Sequence, residues 1–171
     1  MADRGERPAG ALVRHGYRVC VYSQEERRFV LAACIAAGAK GIAAKSLSTA
    51  KAEEVFVEVA GGGIVVPPAV IGLIEVLVRR DCITVLSGRQ RQVLAGRARG
   101  MSYAKLAKQL YTAETTLRGY WRDITLTVSE YLQTATPHEI EQALGLAPGD
   151  LLEFWPDDDD DGEGFWRVAS N

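Results

Sequence analysis

In the stretch AETTLRGYW, residues 113–121, the polar and apolar side chains recur at the spacing of an α-helix and not at that of a β-strand. At about 100° per residue, one narrow sector of that helix holds Thr115, Arg118, Gly119 and Arg122. The opposite sector holds the larger side chains Leu117, Tyr120, Trp121, Ile124 and Val128. The pattern predicts a helix near residues 113–128 that packs by its apolar face and leaves both arginines free to reach DNA phosphates or guanine edges.

Two shorter helices are predicted just before this stretch. Ser87 and Gln90 have the spacing of a capping box, and the helix that they begin ends near Gly100. Ser102 is placed to cap a second helix over residues 103–110, and a short break precedes the third helix. Three short helices with tight joints form a helix-turn-helix layout, in which the last helix enters the major groove of DNA.

The charges of the chain are segregated, although its formal net charge is only -2. The segment 86–124 carries eight basic residues, Arg89, Arg91, Arg97, Arg99, Lys105, Lys108, Arg118 and Arg122. It carries only two acidic ones, Glu114 and Asp123, whereas five consecutive aspartates occupy residues 157–161. This asymmetry favours a nucleic-acid-binding segment followed by an acidic tail, against the alternative of two solvated faces. We interpret the tail as disordered, with competition for the basic helix as the alternative.

The first third of the chain alternates strand and helix patterns. In chain order these are a strand over residues 18–23, a helix opened by a Ser23–Glu26 capping box, a strand over 41–46 and a helix over 49–60. Such an order predicts one parallel βαβα unit. The glycines at 61–63 follow a helix, so they are interpreted as a stop and not as a phosphate-binding loop. A connecting helix over 69–80 is expected after Pro67 and Pro68.

The helical segment resembles the LuxR/NarL-type helix-turn-helix of bacterial transcription regulators. The residues that carry the resemblance are Leu86, Arg89, Val93, Leu94, Gly100, Ser102, Leu106, Ala107, Leu110, Thr116, Leu117, Arg118 and Ile124. The chain departs from the usual pattern at Gln90, Lys105, Ala113 and Tyr120, and Ala113 removes a capping side chain. The resemblance and the helix faces together imply seven candidate DNA-binding residues, Ser102, Lys105, Thr115, Thr116, Arg118, Gly119 and Arg122.

The first region is similar to the second half of the receiver domain of response regulators. The similarity includes the AGAKG turn at residues 37–41, and it matches Ser23 to the switch hydroxyl and Lys45 to the phosphate-contacting lysine. The strands that carry the phosphoacceptor aspartate and the metal-binding acids have no counterpart before residue 18, and Ile42 replaces the switch aromatic. The resemblance therefore implies an atypical, truncated receiver that works without phosphorylation.

A two-stranded unit leaves one strand edge unpaired, and a second copy of the chain is the expected cover. We expect a homodimer held by residues 17–80, the rival being an N-terminal segment that folds back over the edge. The candidates for the core or the interface are Phe29, Val30, Val55, Phe56, Val59, Ile71, Ile74 and Leu77.

These patterns predict an α/β plus all-α chain. Its expected parts are a receiver-like region at 1–66, a linker helix at 67–84, a LuxR-type helix-turn-helix domain at 85–134, and a C-terminal helix with an acidic tail at 135–171. The C-terminal helix is expected between a capping box at Thr136 and Glu139 and a stop at Gly145. No apolar run reaches the roughly 18–20 residues of a bilayer span, so we expect a cytoplasmic protein with no membrane partner.

Catalytic chemistry is not predicted. His15 and His138 are isolated, and the cysteines Cys20, Cys34 and Cys82 are too far apart for a metal or disulfide pattern, so we expect them to be reduced and buried. No cofactor, metal or enzymatic activity is expected. The sequence favours a DNA-binding regulator that acts as a homodimer on double-stranded DNA. The alternative is an adaptor whose helical module binds RNA polymerase or another regulator.

Overall fold

A computed structural model describes residues 12, 13 and 15–151 of the chain. Within them the elements are β1 (Cys20–Ser23), α1 (Arg28–Ala36), β2 (Gly41–Ala44), α2 (Thr49–Ala60), α3 (Pro68–Arg79), α4 (Gly88–Ala98), α5 (Tyr103–Leu110), α6 (Glu114–Thr134) and α7 (Pro137–Leu144). The described chain is thus mostly helical with one small sheet, in agreement with the mixed class predicted. The aspartate run at 157–161 lies outside the described residues.

The sheet follows the predicted strand–helix–strand–helix order. β1 and β2 are parallel, with Cys20 opposite Gly41 and Ser23 opposite Ala44. On its other side β2 forms a single parallel bridge from Gly41 to Val65. Among the described residues β1 pairs with β2 alone, so the outer edge of β1 is unpaired there. The predicted edge is therefore present.

The capping box predicted at Ser23 is wrong. Ser23 is the last residue of β1, and its carbonyl accepts a hydrogen bond from the Lys45 N–H at 2.8 Å. Its hydroxyl accepts from the Glu25 N–H at 3.1 Å, two residues ahead, which closes a turn. α1 begins only at Arg28, after Arg27, which provides no side-chain cap. The serine cannot open a helix because its backbone already belongs to the sheet.

The helix boundaries predicted in the second half are confirmed at most ends. Ser87 and Gln90 form the capping box of α4, and the Ser102 hydroxyl accepts from the Lys105 N–H at the start of α5. No side chain caps α6, as the alanine at 113 predicted. α6 continues to Thr134, six residues past the predicted end at 128. α7 has the predicted Thr136–Glu139 box and ends at Gly145 in a left-handed conformation.

A single hydrophobic cluster runs from α1 to the end of the described chain. The second half of α6 is fastened to the C-terminal end of α1, because Gln133 Nε2 donates to the Ala36 carbonyl at 2.8 Å. Ser129 Oγ donates to the Thr125 carbonyl at 2.8 Å and lies 3.3 Å from the Ile35 carbonyl. Leu132 and Val128, on the same side of α6, are buried. The core therefore crosses the predicted domain boundaries near residues 66 and 84.

One expectation about burial, that for the cysteines, needs correction. The three cysteines are free but only partly buried, since Cys20 lies on the edge strand and Cys82 follows the end of α3. Of the eight core or interface candidates, four are buried inside the chain itself, namely Val59, Ile71, Ile74 and Leu77. Phe56 is 39% exposed and stays available to a partner. No described helix is both long and apolar enough to cross a bilayer.

The contact between α4 and α5 depends on Gly96. A Cβ at Gly96 would collide with the Leu106 side chain, which is only 2% exposed. We expect Gly96→Ala to lower the free energy of unfolding by about 1–3 kcal/mol through overpacking, measured by urea denaturation. Gly72→Ala in α3 is the matched control because its Cβ would meet nothing within 4 Å. The control should raise stability by about 0.5–1 kcal/mol, and equal effects of the two variants would contradict the packing assignment.

Candidate nucleic-acid interface

The first half of α6 has the two faces that the sequence predicted. Leu117, Trp121 and Ile124 are at most 1% exposed and face α4 and α5. On the other side, the Arg122 side chain is 72% exposed, with Nε 3.9 Å from Asp123 Oδ1. The indole is therefore an anchor and the Arg122 guanidinium is at the surface.

A guanidinium stacks on the aromatic side chains that hold this anchor. The Arg97 guanidinium carbon lies 4.5 Å from the centroid of the Tyr103 ring and 5.9 Å from that of Trp121. Its Nη1 donates to the Met101 carbonyl at 2.8 Å, whereas its buried Nε has no hydrogen-bond partner among the described residues. Stacking on two rings stabilises the charge in that position. Arg97 therefore supports α6 from within and does not lie on its exposed face.

Arg118 is not free, in contrast to the prediction. Its Nη1 forms an ion pair with the Glu58 carboxylate of α2, sixty positions earlier in the chain. Its guanidinium carbon also lies 4.5 Å from the centroid of the Tyr103 ring. The side chains of Arg118 and Glu58 keep exposures of 42% and 35%, so solvent reaches the pair. α2 thus touches the face of α6 that was expected to meet DNA.

Tyr103 lies between these charges. Burial raises the pKa of its hydroxyl, an effect that the neighbouring Arg97 and Arg118 oppose. The phenol is therefore neutral at physiological pH, and its ring offers an uncharged π surface to both guanidinium groups. Tyr103 therefore contacts both Arg97, which supports α6 from within, and Arg118, which lies on the other face of α6.

The glycine triplet has the stop role that the sequence predicted. The N–H groups of Gly61, Gly62 and Gly63 donate to carbonyls of the last turn of α2, at 2.9, 3.0 and 2.9 Å. They cannot also cradle a phosphate. A Cβ at Gly63 would collide with the Glu58 carboxylate, so this glycine leaves space for the acid that pairs with Arg118.

A cleft of about 500 Å³ separates the end of α2 from the first half of α6. Its lining residues are Val57, Glu58, Gly61, Gly62, Gly63, Ile64, Tyr103, Thr115, Arg118, Gly119, Trp121 and Arg122. Four of the seven candidate site residues are therefore brought together in one place. Ser102, Lys105 and Thr116 lie outside the lining, with Lys105 and Thr116 exposed and Ser102 capping α5.

Gly119 borders this cleft without touching its opposite wall. A Cβ built on it would meet nothing within 4 Å. Packing among the described residues therefore does not require a glycine in this helix, where alanine would be more stable by roughly 1 kcal/mol. The absence of a side chain leaves the α6 backbone open to a partner from outside the chain.

The basic residues of this segment divide into two groups. Arg91 and Arg97 are partly buried and donate to backbone carbonyls, Arg91 to Leu86 and Thr84 at 3.2 Å each. The other six, Arg89, Arg99, Lys105, Lys108, Arg118 and Arg122, are exposed, and Arg118 among them is paired with Glu58. The positive surface is therefore smaller than the count of basic residues suggested.

Two members of the site were not found from the sequence. Glu58 is the partner of Arg118, but nothing in its local pattern connects it with a residue sixty positions away. Tyr103 was assigned only to a helix, because no local pattern connects it with Arg97 or Arg118. The described residues contain no group of three or more histidine, cysteine or acidic side chains that could hold a metal ion.

Comparisons with protein-family models, with curated proteins and with solved structures found no significant match to this chain. Its function therefore has to be argued from its own residues and their geometry.

Proposed function

We propose that this protein is a DNA-binding transcription regulator of the LuxR/NarL type that works as a homodimer without phosphorylation. The first half of α6 enters the major groove, with α5 crossing the DNA backbone beside it. One observation carries the proposal: α6 buries Trp121 against α4 and α5 while Arg122, on its other face, is 72% exposed at the rim of the cleft that Thr115 and Gly119 also line.

The exposed charges suit this role. A helix in the major groove needs long cationic side chains on its outer face and a rigid support on its inner face. Arg122 is well placed for a base or a phosphate because its side chain is 72% exposed. Lys105, at the start of α5, is exposed and suited to the DNA backbone.

Arg118 can contact DNA only after its guanidinium leaves the Glu58 carboxylate. The Glu58 carboxylate holds its guanidinium and would face the phosphates of an incoming duplex. An exposed pair of this kind contributes less than about 1 kcal/mol, so phosphate oxygens can compete for the guanidinium. Glu58 therefore weakens DNA binding without abolishing it.

The homodimer is supported by the outer surface of the first region. Tyr22 and Phe56 form an edge-to-face pair with ring centroids 5.8 Å apart, and they are 50% and 39% exposed. Tyr22 belongs to β1, whose outer edge is unpaired among the described residues. A second copy covering these groups would give a two-fold dimer suited to two half-sites of DNA.

The contribution of Arg122 can be measured directly. We expect Arg122→Ala to weaken binding of a footprinted duplex by about 1–3 kcal/mol if the guanidinium contacts a base, with relaxed preference at that base. Fluorescence anisotropy over a range of salt concentrations gives the affinity. The same measurement on duplexes changed at that base gives the base preference. The charge-matched control is Arg79→Ala in α3, a residue with a 68% exposed side chain, which should bind normally. If the unsubstituted chain shows no salt-dependent affinity for any duplex, the adaptor function is favoured instead.

Removing the negative charge of Glu58 should strengthen DNA binding. We expect Glu58→Gln to raise affinity about 3- to 10-fold, as Arg118 is released and repulsion from the phosphates falls. Glu54→Gln removes one charge from the same helix at a 68% exposed position paired with Lys51, and it should change affinity much less. Equal gains in the two variants would assign the effect to net charge and not to the ion pair.

The oligomeric state gives a separate test. We expect the chain to have the mass of two copies by light scattering, and Phe56→Ser to shift it toward one copy with unchanged helix content by circular dichroism. Val85→Ser is the control, because Val85 is 78% exposed outside the proposed interface. A one-copy mass for the unsubstituted chain at micromolar concentration would exclude this dimer.

A further inference from the structure

Tyr111, in the turn between α5 and α6, has an unusual conformation for its residue type. Its backbone is left-handed, with φ 52° and ψ 49°, and its N–H donates to the Ala107 carbonyl at the end of α5. A side chain in this region brings Cβ close to the next carbonyl oxygen, at a cost of roughly 1–2 kcal/mol for residues other than glycine. Helix ends of this kind usually carry glycine or asparagine.

The chain uses glycine at comparable places elsewhere. Gly38, Gly62, Gly100 and Gly145 follow helix ends with φ of 99°, 94°, 76° and 68°. The other described residue that is not glycine and has positive φ is Asp81, with φ 56°. Aspartate tolerates this conformation through its short polar side chain, whereas tyrosine has no such compensation. The tyrosine is thus the exception among the described helix ends.

Packing does not explain the tyrosine either. Its exposure is 95%, the highest among the exposed large apolar side chains of the described chain. The ring therefore lies in solvent, where it adds no buried apolar contact to offset the backbone strain. Backbone strain that no packing contact offsets is found at functional sites.

The surroundings of Tyr111 are basic. Arg89 reaches from α4 to the end of α5, where its Nη1 donates to the Leu110 carbonyl at 3.3 Å, next to Tyr111. Lys108 lies in the last turn of α5 and is exposed. α6 begins three residues after Tyr111, at Glu114. This turn would therefore meet the DNA backbone at the edge of the groove that α6 enters.

We infer that Tyr111 is a DNA-backbone contact, whose hydroxyl donates a hydrogen bond to a phosphate oxygen while Arg89 and Lys108 supply the neighbouring positive charge. This inference rests on the proposed DNA-binding function. Tyrosine hydroxyls are among the groups that bind phosphates in protein–DNA interfaces, and such contacts position the protein without reading the sequence. Tyr111 would fix the entry of α6 into the groove.

The test compares Tyr111→Phe and Tyr111→Gly in the full chain. Tyr111→Phe keeps the ring and the backbone strain and removes only the hydroxyl, whereas Tyr111→Gly also relieves the strain. We expect both to bind a footprinted duplex and a random duplex about 3- to 10-fold more weakly. The slope of affinity against salt should be unchanged because the hydroxyl is neutral. Lys108→Ala should instead reduce that slope by about 1.

Folding and binding are separated by the thermal midpoint. Tyr111→Gly should unfold at the same temperature as the unsubstituted chain or higher, so weaker binding cannot come from lost structure. Wild-type affinity of Tyr111→Phe, or a loss confined to one DNA sequence, would overturn the inference. If Arg122→Ala weakens binding while the Tyr111 variants do not, only this inference fails. If the unsubstituted chain binds no duplex, the proposed function itself fails.

Discussion

One unbroken helix, α6, holds the two parts of this chain in a fixed relation. Its 21 residues span about 30 Å at 1.5 Å per residue. The first half packs on α4 and α5 around Trp121, and the second half is fastened to α1 through Gln133 and buried apolar side chains. The position of the sheet relative to the candidate DNA-binding face therefore follows from the packing of α6 on α1, together with α3, which packs on both α1 and α4. The contact between Glu58 and Arg118 exists because of this arrangement.

The packing of α1 on α6 also determines how the ion pair between Glu58 and Arg118 can open. Separating α1 from α6 would expose Ile35, Val128 and Leu132, each at most 2% exposed, and full burial of such a side chain is worth about 1.5–3 kcal/mol. The ion pair, between side chains that are more than one third exposed, contributes less than about 1 kcal/mol. A change of Arg118 rotamer is therefore much easier than movement of the whole first region. Opening of this contact therefore needs only a local exchange of partners for one guanidinium and no separation of the two regions.

Local signals predicted the helices well and long-range contacts poorly. The ranges of α2 and α5 matched the prediction because hydrophobic periodicity and an end signal, a glycine stop or a capping serine, agreed with each other. The box at Ser23 had an equally good local pattern but failed, since pairing of β1 with β2 had already engaged that backbone. The two faces of α6 could be predicted from the helical repeat alone. Glu58 could not, because tertiary packing, including that of α1 on α6, brings α2 to the end of the cleft.

Two residues of the three-helix segment lower its stability. Gly119 loosens the middle of α6 where a Cβ would have open space, and Tyr111 holds a left-handed backbone with its ring in solvent. Each costs roughly 1 kcal/mol in a molecule whose total stability is expected to be about 5–15 kcal/mol. No packing inside the described chain offsets either cost, whereas a ligand that binds the folded state would. A duplex along α6 would place its backbone beside Tyr111 and its groove against Gly119, so one partner would explain both residues.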